Sequence, residues 1–255
     1  MYDLSIIVSG IRVEKWEYLL QQLRESCGDL KYEVIFSGPF VPEGFNLTRH
    51  EFVRDFGTPS RAFMKAAVLA NGKYICQCPD DAILLPLGIK KCHEAIQNDR
   101  KKICIVRYNE GANYGGSEFP LAYWNIKFHP RLNACVAVKP EWDAGPWFMM
   151  DREYFVEMGG VDCRFEHLNL NVNDLIYRVY RDGGSTVMSP TVVAKLNWEN
   201  TGEEVPLVQA FLKNDLPLLE KLYASNEQLE TNPIKIDINN WKASEKFWHR
   251  KWKNE

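Results

Sequence analysis

The sequence predicts an α/β fold, a mixed sheet flanked by helices, with a helical appendage at the C-terminal end. Three observations predict it. The chain opens with a strand–helix–strand pattern: apolar residues 4–8, then Trp16, Leu19, Leu20 and Leu23 on one helical face, then apolar residues 32–36. Residues 72–88 hold a buried-strand pattern over 74–78, then Pro79, then two adjacent carboxylates, Asp80 and Asp81. Strand and helix patterns go on alternating as far as residue 196.

Each element has a local reason. Ser9-Gly10 ends the first strand and Ser37-Gly38-Pro39 the second, and residues 52–55 make a short third. Thr58-Pro59 reads as an N-cap followed by the first helical residue, where the missing proline N–H is no loss. The helix over 60–70 is apolar nearly all round, so it is predicted to be buried, and Asn71-Gly72 closes it. Pro79 ends the strand that follows, because proline has no N–H for a ladder. Residues 87–98 read as a helix with Ile89, Cys92 and Ile96 on one side, and residues 103–106 as another strand. Residues 108–146 are rich in Gly, Asn, Pro and aromatics, with strand-like pieces at 121–128 and 134–138. They read as a binding region built on the scaffold, or as a β-excursion packed by its own aromatics.

Further on, Asp151 caps a short helix that ends at Gly159-Gly160. Asn173 is predicted as the N-cap of a helix over 174–181, which makes Asp174 its first residue, and Gly183-Gly184 stops it. Residues 186–188 and 191–196 are late strands, and 206–224 form an amphipathic helix broken near Pro217. Near the C-terminus, Trp241, Phe247, Trp248 and Trp252 fall on one helical face with lysines and Arg250 on the others. Docking of these aromatics on the parent domain is the expectation, with peripheral membrane contact as the alternative. The expected division is 1–204, in halves 1–107 and 108–204, followed by a helical extension over 205–255.

Composition narrows the class. With 255 residues and 45% hydrophobic content the chain can bury a substantial core. A formal net charge of −3 points to neither nucleic acid nor a membrane surface. Seven cysteines, an odd number without framework spacing, read as reduced core residues of a cytoplasmic, soluble protein. No signal peptide is indicated, and no apolar run approaches the length of a spanning helix.

Asp80 and Asp81 are placed at the C-terminal end of a central strand, where open α/β sheets hold ligands. Adjacent anions repel unless a cation is near. Mg²⁺ or Mn²⁺ would supply one and would also hold substrate phosphates. An acidic surface turn is the plainer reading of the pair alone.

Taken in order, the motifs resemble the GT-A glycosyltransferases, family 2-like, over roughly residues 3–200. The first strand, Pro59-Ser60-Arg61-Ala62, the stretch from Ala70 through Tyr74-Ile75 to Asp80-Asp81, residues 147–152 with Gly159-Gly160-Val161-Asp162, and Asn173-Asp174-Leu175 with Arg178 carry the likeness. The resemblance implies a GT-A, Rossmann-like nucleotide-binding sheet. It implies Asp81 and Asp80 as a D-x-D-like metal and donor site for Mn²⁺ or Mg²⁺, and Asp174 as general base. Ser9, Gly10, Gly38, Asp55 and Arg61 would join the donor site, with Trp147 and Asn173 on the acceptor side. His167 reads as a loop histidine, completion of a metal shell being the alternative.

The chain departs from the family pattern at Ser37-Gly38-Pro39, at Phe63-Met64, at Pro79 and at Asn173. The expected activity is metal-dependent, inverting transfer of a sugar from a nucleotide diphosphate sugar, a UDP-sugar foremost, to a glycan hydroxyl. Inversion follows from the resemblance and from one candidate base without a second nucleophile. The alternative is a GT-A-like nucleotide- or glycan-binding module that has lost turnover. A nucleotidyltransferase ranks below both, because the first strand is followed by Ser9-Gly10-Ile11-Arg12 and not by a Gly-rich basic loop.

Overall fold

A computed structural model describes residues 1–41, 43–45, 50–110, 119–120, 124–125, 143–196, 210–223 and 230–244. In chain order its strands are β1 (Leu4–Ser9), β2 (Tyr32–Gly38), β3 (Glu51–Arg54), β4 (Tyr74–Cys78), β5 (Ile83–Leu84), β6 (Lys102–Ile105) and β7 (Tyr108–Glu110). They continue with β8 (Phe119–Pro120), β9 (Trp124–Asn125), β10 (Asp143–Ala144), β11 (Phe148–Asp151), β12 (Ser185–Met188) and β13 (Ala194–Leu196). The helices are α1 (Trp16–Cys27), α2 (Pro59–Ala67), α3 (Gly88–Ile96), α4 (Arg152–Glu157), α5 (Leu170–Arg181) and α6 (Leu216–Tyr223).

Seven strands form one mixed sheet in the order β12-β6-β11-β4-β1-β2-β3. β1 runs parallel to β2 and β4, β3 runs parallel to β2, and β12 runs parallel to β6. β11 is antiparallel to both of its neighbours. A smaller sheet follows the order β5-β13-β7-β8, and β9 pairs with β10. The expected α/β class and mixed sheet are therefore what the chain forms.

Alternation along the central strands feeds two cores, one on each face. Ile7, Ile35, Ile75, Ile103, Phe148 and Met150 point to the face covered by α2, α4, α5 and α6. Leu4, Ile6, Val8, Phe36, Cys76 and Met149 point to the face covered by α1 and α3. A sheet buried on both faces has near-continuous apolar strands, which is why the short runs in the sequence read clearly. The six described cysteines are buried and form no disulfide, while Cys135 lies outside the described residues. Among the described residues no helix is long and apolar enough to cross a membrane.

Two predicted caps form as expected. Thr58 accepts the Arg61 N–H at 3.3 Å and Asp151 accepts the Tyr154 N–H at 2.9 Å. The third does not. α5 begins at Leu170, so Asn173 and Asp174 lie inside it. Leu170 and Val172 are buried in the core, and their burial extends the helix upstream of the polar pair. The expected strands at 121–128 and 134–138 fall largely outside the described residues, as do Phe247, Trp248 and Trp252.

The described part of the C-terminal extension is woven into the domain. A five-residue π-helical turn, Phe211–Asp215, leads into α6, and Leu216, Leu219, Leu222 and Tyr223 share the core of α5. The expected break near Pro217 appears as this π-helical turn, which runs directly into α6 with Pro217 as its second residue. Gly159, at φ +82°, lets the backbone of Ile236 pass where a Cβ would meet the carbonyl oxygen at 2.0 Å. Asn240 then bonds the loop behind it, accepting the Cys163 N–H at 2.9 Å and donating to the Gly159 and Val161 carbonyls at 3.1 Å. Trp241 packs against the same core, consistent with docking on the parent domain.

Candidate active site

Parallel register sets the site. Ser9 is level with Ser37, Val8 with Cys78 and Gly38 with Arg54, so β1, β2, β3 and β4 all end at one sheet edge. A cleft of ≈ 190 Å³ opens there, lined by the loops after these strands, by the start of α2 and by residues 167–168. Ser9, Gly10, Gly38, Asp55, Asp80 and Asp81, all expected at a donor site, line it. This is the C-terminal edge at which open α/β sheets bind ligands.

Asp80 organises the floor. It is 3% exposed, and its Oδ2 accepts the backbone N–H groups of Ile11 at 2.8 Å and Arg12 at 2.7 Å. Its Oδ1 accepts from Arg12 Nη1 at 2.8 Å. Gly10 packs so closely that a Cβ there would lie 2.0 Å from Asp80 Oδ2. Asp80 therefore holds the loop after β1, and its oxygens are largely committed to that task. Asp81 lies beside it, 3.6 Å from Arg12 Nη1. Burial raises the Asp81 pKa and Asp80 adds to the rise, while the Arg12 guanidinium opposes it. The cation beside the acid pair is thus an arginine that the sequence reading passed over.

On the other side of the cleft Asp55 is gripped by Arg61 Nε at 3.3 Å and Lys65 Nζ at 3.1 Å, and it accepts the Gly57 N–H at 2.6 Å. Arg61 itself does not line the cleft. It spans Asp55 and the Ser244 carbonyl and so links the cleft wall to the C-terminal segment.

Three expected site residues lie away from the cleft. Asp174 is 3% exposed in the middle of α5. Its Oδ2 accepts from Arg178 Nε at 2.8 Å, and its Oδ1 accepts the Tyr223 hydroxyl. Arg178 completes its bonding to the Met158 and Gly160 carbonyls, both at 2.6 Å. In this arrangement Asp174 ties α5 to α6 and to the loop after α4. It does not stand at the N-terminus of α5. Trp147 is 1% exposed and packs in the core beside Tyr108, with ring centroids 6.3 Å apart, so it offers no stacking face. Asn173 is 3% exposed and likewise lies inside the helix.

The structure brings in a residue that the sequence reading left as a plain loop position. His167 lines the cleft. Its backbone N–H is held by Asp215 Oδ2 at 2.9 Å and that of Glu166 by Asp215 Oδ1 at 2.8 Å. Burial pushes the Asp215 pKa up to about 6, against the lowering effect of these bonds. No local pattern links residue 215 to residue 167, so only the folded chain reveals the clamp.

Among the described residues no three metal-ligating side chains converge. Asp81 is the acid pair's remaining candidate for a divalent ion, since Asp80 is taken up by the loop. One carboxylate suits an ion whose other ligands are substrate phosphates and water. Compared with known proteins, the chain matches no protein-family model and no curated protein sequence.

Proposed function

We propose that the cleft binds a nucleotide diphosphate sugar, a UDP-sugar foremost, and that the protein is a GT-A-type glycosyltransferase acting on a glycan hydroxyl with inversion. The observation that carries this reading is the meeting of Asp80, Asp81 and Arg12 at the aligned ends of β1 and β4, next to Ser9, Gly10 and Gly38. Small residues leave room for a nucleoside above the strand ends. Arg12 offers a guanidinium suited to phosphate oxygens, and Asp80 fixes the loop that presents it. Mn²⁺ or Mg²⁺ held by Asp81 together with the donor phosphates would neutralise charge on the departing diphosphate.

The test is nucleotide release. The protein is incubated with UDP-, GDP-, dTDP- and CDP-sugars, with Mn²⁺ or with EDTA, and free nucleotide is measured. Release from one donor class, lost in Asp81→Ala, is the expected result; release from none removes the catalytic reading.

One observation favours a second reading, a nucleotide-binding module without turnover. Asp174, the expected base, is committed to Arg178 and Tyr223. That module would bind one nucleotide tightly and release none from any sugar donor.

A further inference from the structure

Three apolar columns on one face of the sheet turn polar where they reach the cleft. Ile7 on β1, Ile35 on β2 and Ile75 on β4 are buried in the core beneath α2. Two residues further on, alternation brings Ser9, Ser37 and Gln77 to that same face. β1 pairs Ser9 with Ser37 and Ile7 with Gln77, so the three polar residues stand on neighbouring strands. All three line the cleft, opposite Pro59 and Ala62 of α2. The two serine hydroxyls bond each other at 2.7 Å.

Gln77 has no such partner. It is 5% exposed, and among the described residues its buried Oε1 meets no hydrogen-bond donor. Buried polar atoms are almost always paired, because an unpaired one keeps the full cost of leaving water. The other buried acids of the cleft obey this: Asp80 accepts from the Ile11 and Arg12 backbone, and Asp55 from the Gly57 N–H. An apolar residue would fill a fully buried strand position such as 77 without that cost. The open valence of Gln77 therefore borders the space that a ligand enters, and it calls for a neutral donor. Phosphate oxygens are acceptors and cannot satisfy a carboxamide oxygen. The base N–H groups and ribose hydroxyls of a nucleoside can.

We infer that Gln77 is a specificity-determining residue of the cleft, its Oε1 accepting a hydrogen bond from a base N–H or a ribose hydroxyl of the nucleoside. This rests on the nucleotide reading above. Arg12 and Asp81, on the loops after β1 and β4, serve the charged diphosphate, and Gln77 reads the uncharged end of the same ligand. A site built around a hydrogen bond rejects the analogue that lacks it, because the buried group is then left unpaired.

The test is calorimetric binding to the full chain in Mn²⁺. UDP, GDP, dTDP and CDP probe the whole site, and inorganic pyrophosphate probes the charged end alone. Wild type is compared with Gln77→Leu, and Gln77→Met stands in if the Leu variant does not fold. The variant is expected to bind the preferred nucleotide about ten- to hundredfold more weakly and pyrophosphate as wild type does. Its thermal midpoint without ligand should equal or exceed that of wild type, because the unpaired acceptor is gone. The 2′-deoxy, 3′-deoxy and base N-methylated analogues of the preferred nucleotide then separate ribose from base. The analogue that wild type rejects, and that Gln77→Leu binds no worse than the parent nucleotide, carries the donor. Equal nucleotide affinity in wild type and variant, a parallel loss of pyrophosphate, or rejection of no analogue by wild type overturns the inference and leaves the nucleotide reading standing. Binding of no nucleotide by wild type overturns both.

Discussion

Two clusters in this molecule each pair carboxylate with arginine and sit in opposite surroundings. Asp80, Asp81 and Arg12 meet at the rim of the sheet, where Arg12 is 28% exposed and a cleft stands open beside the acids. Asp174, Arg178 and Tyr223 meet inside the core, where the arginine is 2% exposed and every partner named for it is protein. The outer cluster leaves Asp81 able to engage a ligand. The inner one spends both carboxylate oxygens on joining α5, α6 and the loop after α4. An acid followed four residues later by an arginine on a helix is as much the signature of a buried strut as of a catalytic segment, and burial decides which.

The sharpest way to break this comparison is to remove one acid from each cluster. Asp174→Ala leaves a buried guanidinium without its counter-charge and should cost about 3–5 kcal/mol in urea denaturation. Asp81→Ala should change stability by less than about 1 kcal/mol, since it removes an acid crowded by burial and by Asp80. Equal losses would mean that the clusters do not differ in kind.

Asp215 is a third case, a buried acid with backbone N–H partners and an amide but no cation among the partners named for it. Its folded pKa, raised to about 6, lies above the unfolded value near 3.9. Between about pH 4 and 6 the folded state holds the extra proton, so stability falls as pH rises through that window, by up to about 3 kcal/mol. Asp215→Asn should flatten this slope in denaturation curves taken at pH 4, 5 and 6. An unchanged slope would assign it to other groups, the neighbouring Glu166 first.

Smaller effects refine the outer cluster. Gly10→Ala pushes a Cβ into Asp80 and should cost about 1–3 kcal/mol while weakening nucleotide binding. Arg12→Ala, at a partly exposed pair, should cost only about 1 kcal/mol. It should raise the Asp81 pKa further in a carboxyl NMR titration, because the largest of the effects that lower it is gone.

Much of this was legible in the sequence. Strands buried on both faces announced β1, β2, β4 and β6, and Pro79 with Asp80-Asp81 marked the sheet edge at which the cleft opens. The caps at Thr58 and Asp151 follow from local hydrogen bonding alone. Asn173-Asp174 misled because the same residue types cap a helix or sit inside one, and tertiary burial of Leu170 and Val172 moved the boundary. Trp147 carries nothing in its identity that separates a core position from a stacking platform. Arg12 and Asp215 stayed hidden because their partners lie 68 and up to 49 residues away in the chain, and so did the link from Asp215 to the His167 backbone, 48 residues apart.

The measurement that bears most directly on the central claim is the thermal midpoint with UDP, GDP, dTDP and CDP. Each is added with and without Mn²⁺, to wild type and to Asp81→Ala. A nucleotide at about 100 times its dissociation constant adds about 2.7 kcal/mol, a shift of a few degrees. The account predicts such a shift with one nucleotide on wild type and its loss in Asp81→Ala. No shift with any nucleotide, or an equal shift in the variant, would contradict the assignment of the cleft as a nucleotide diphosphate site.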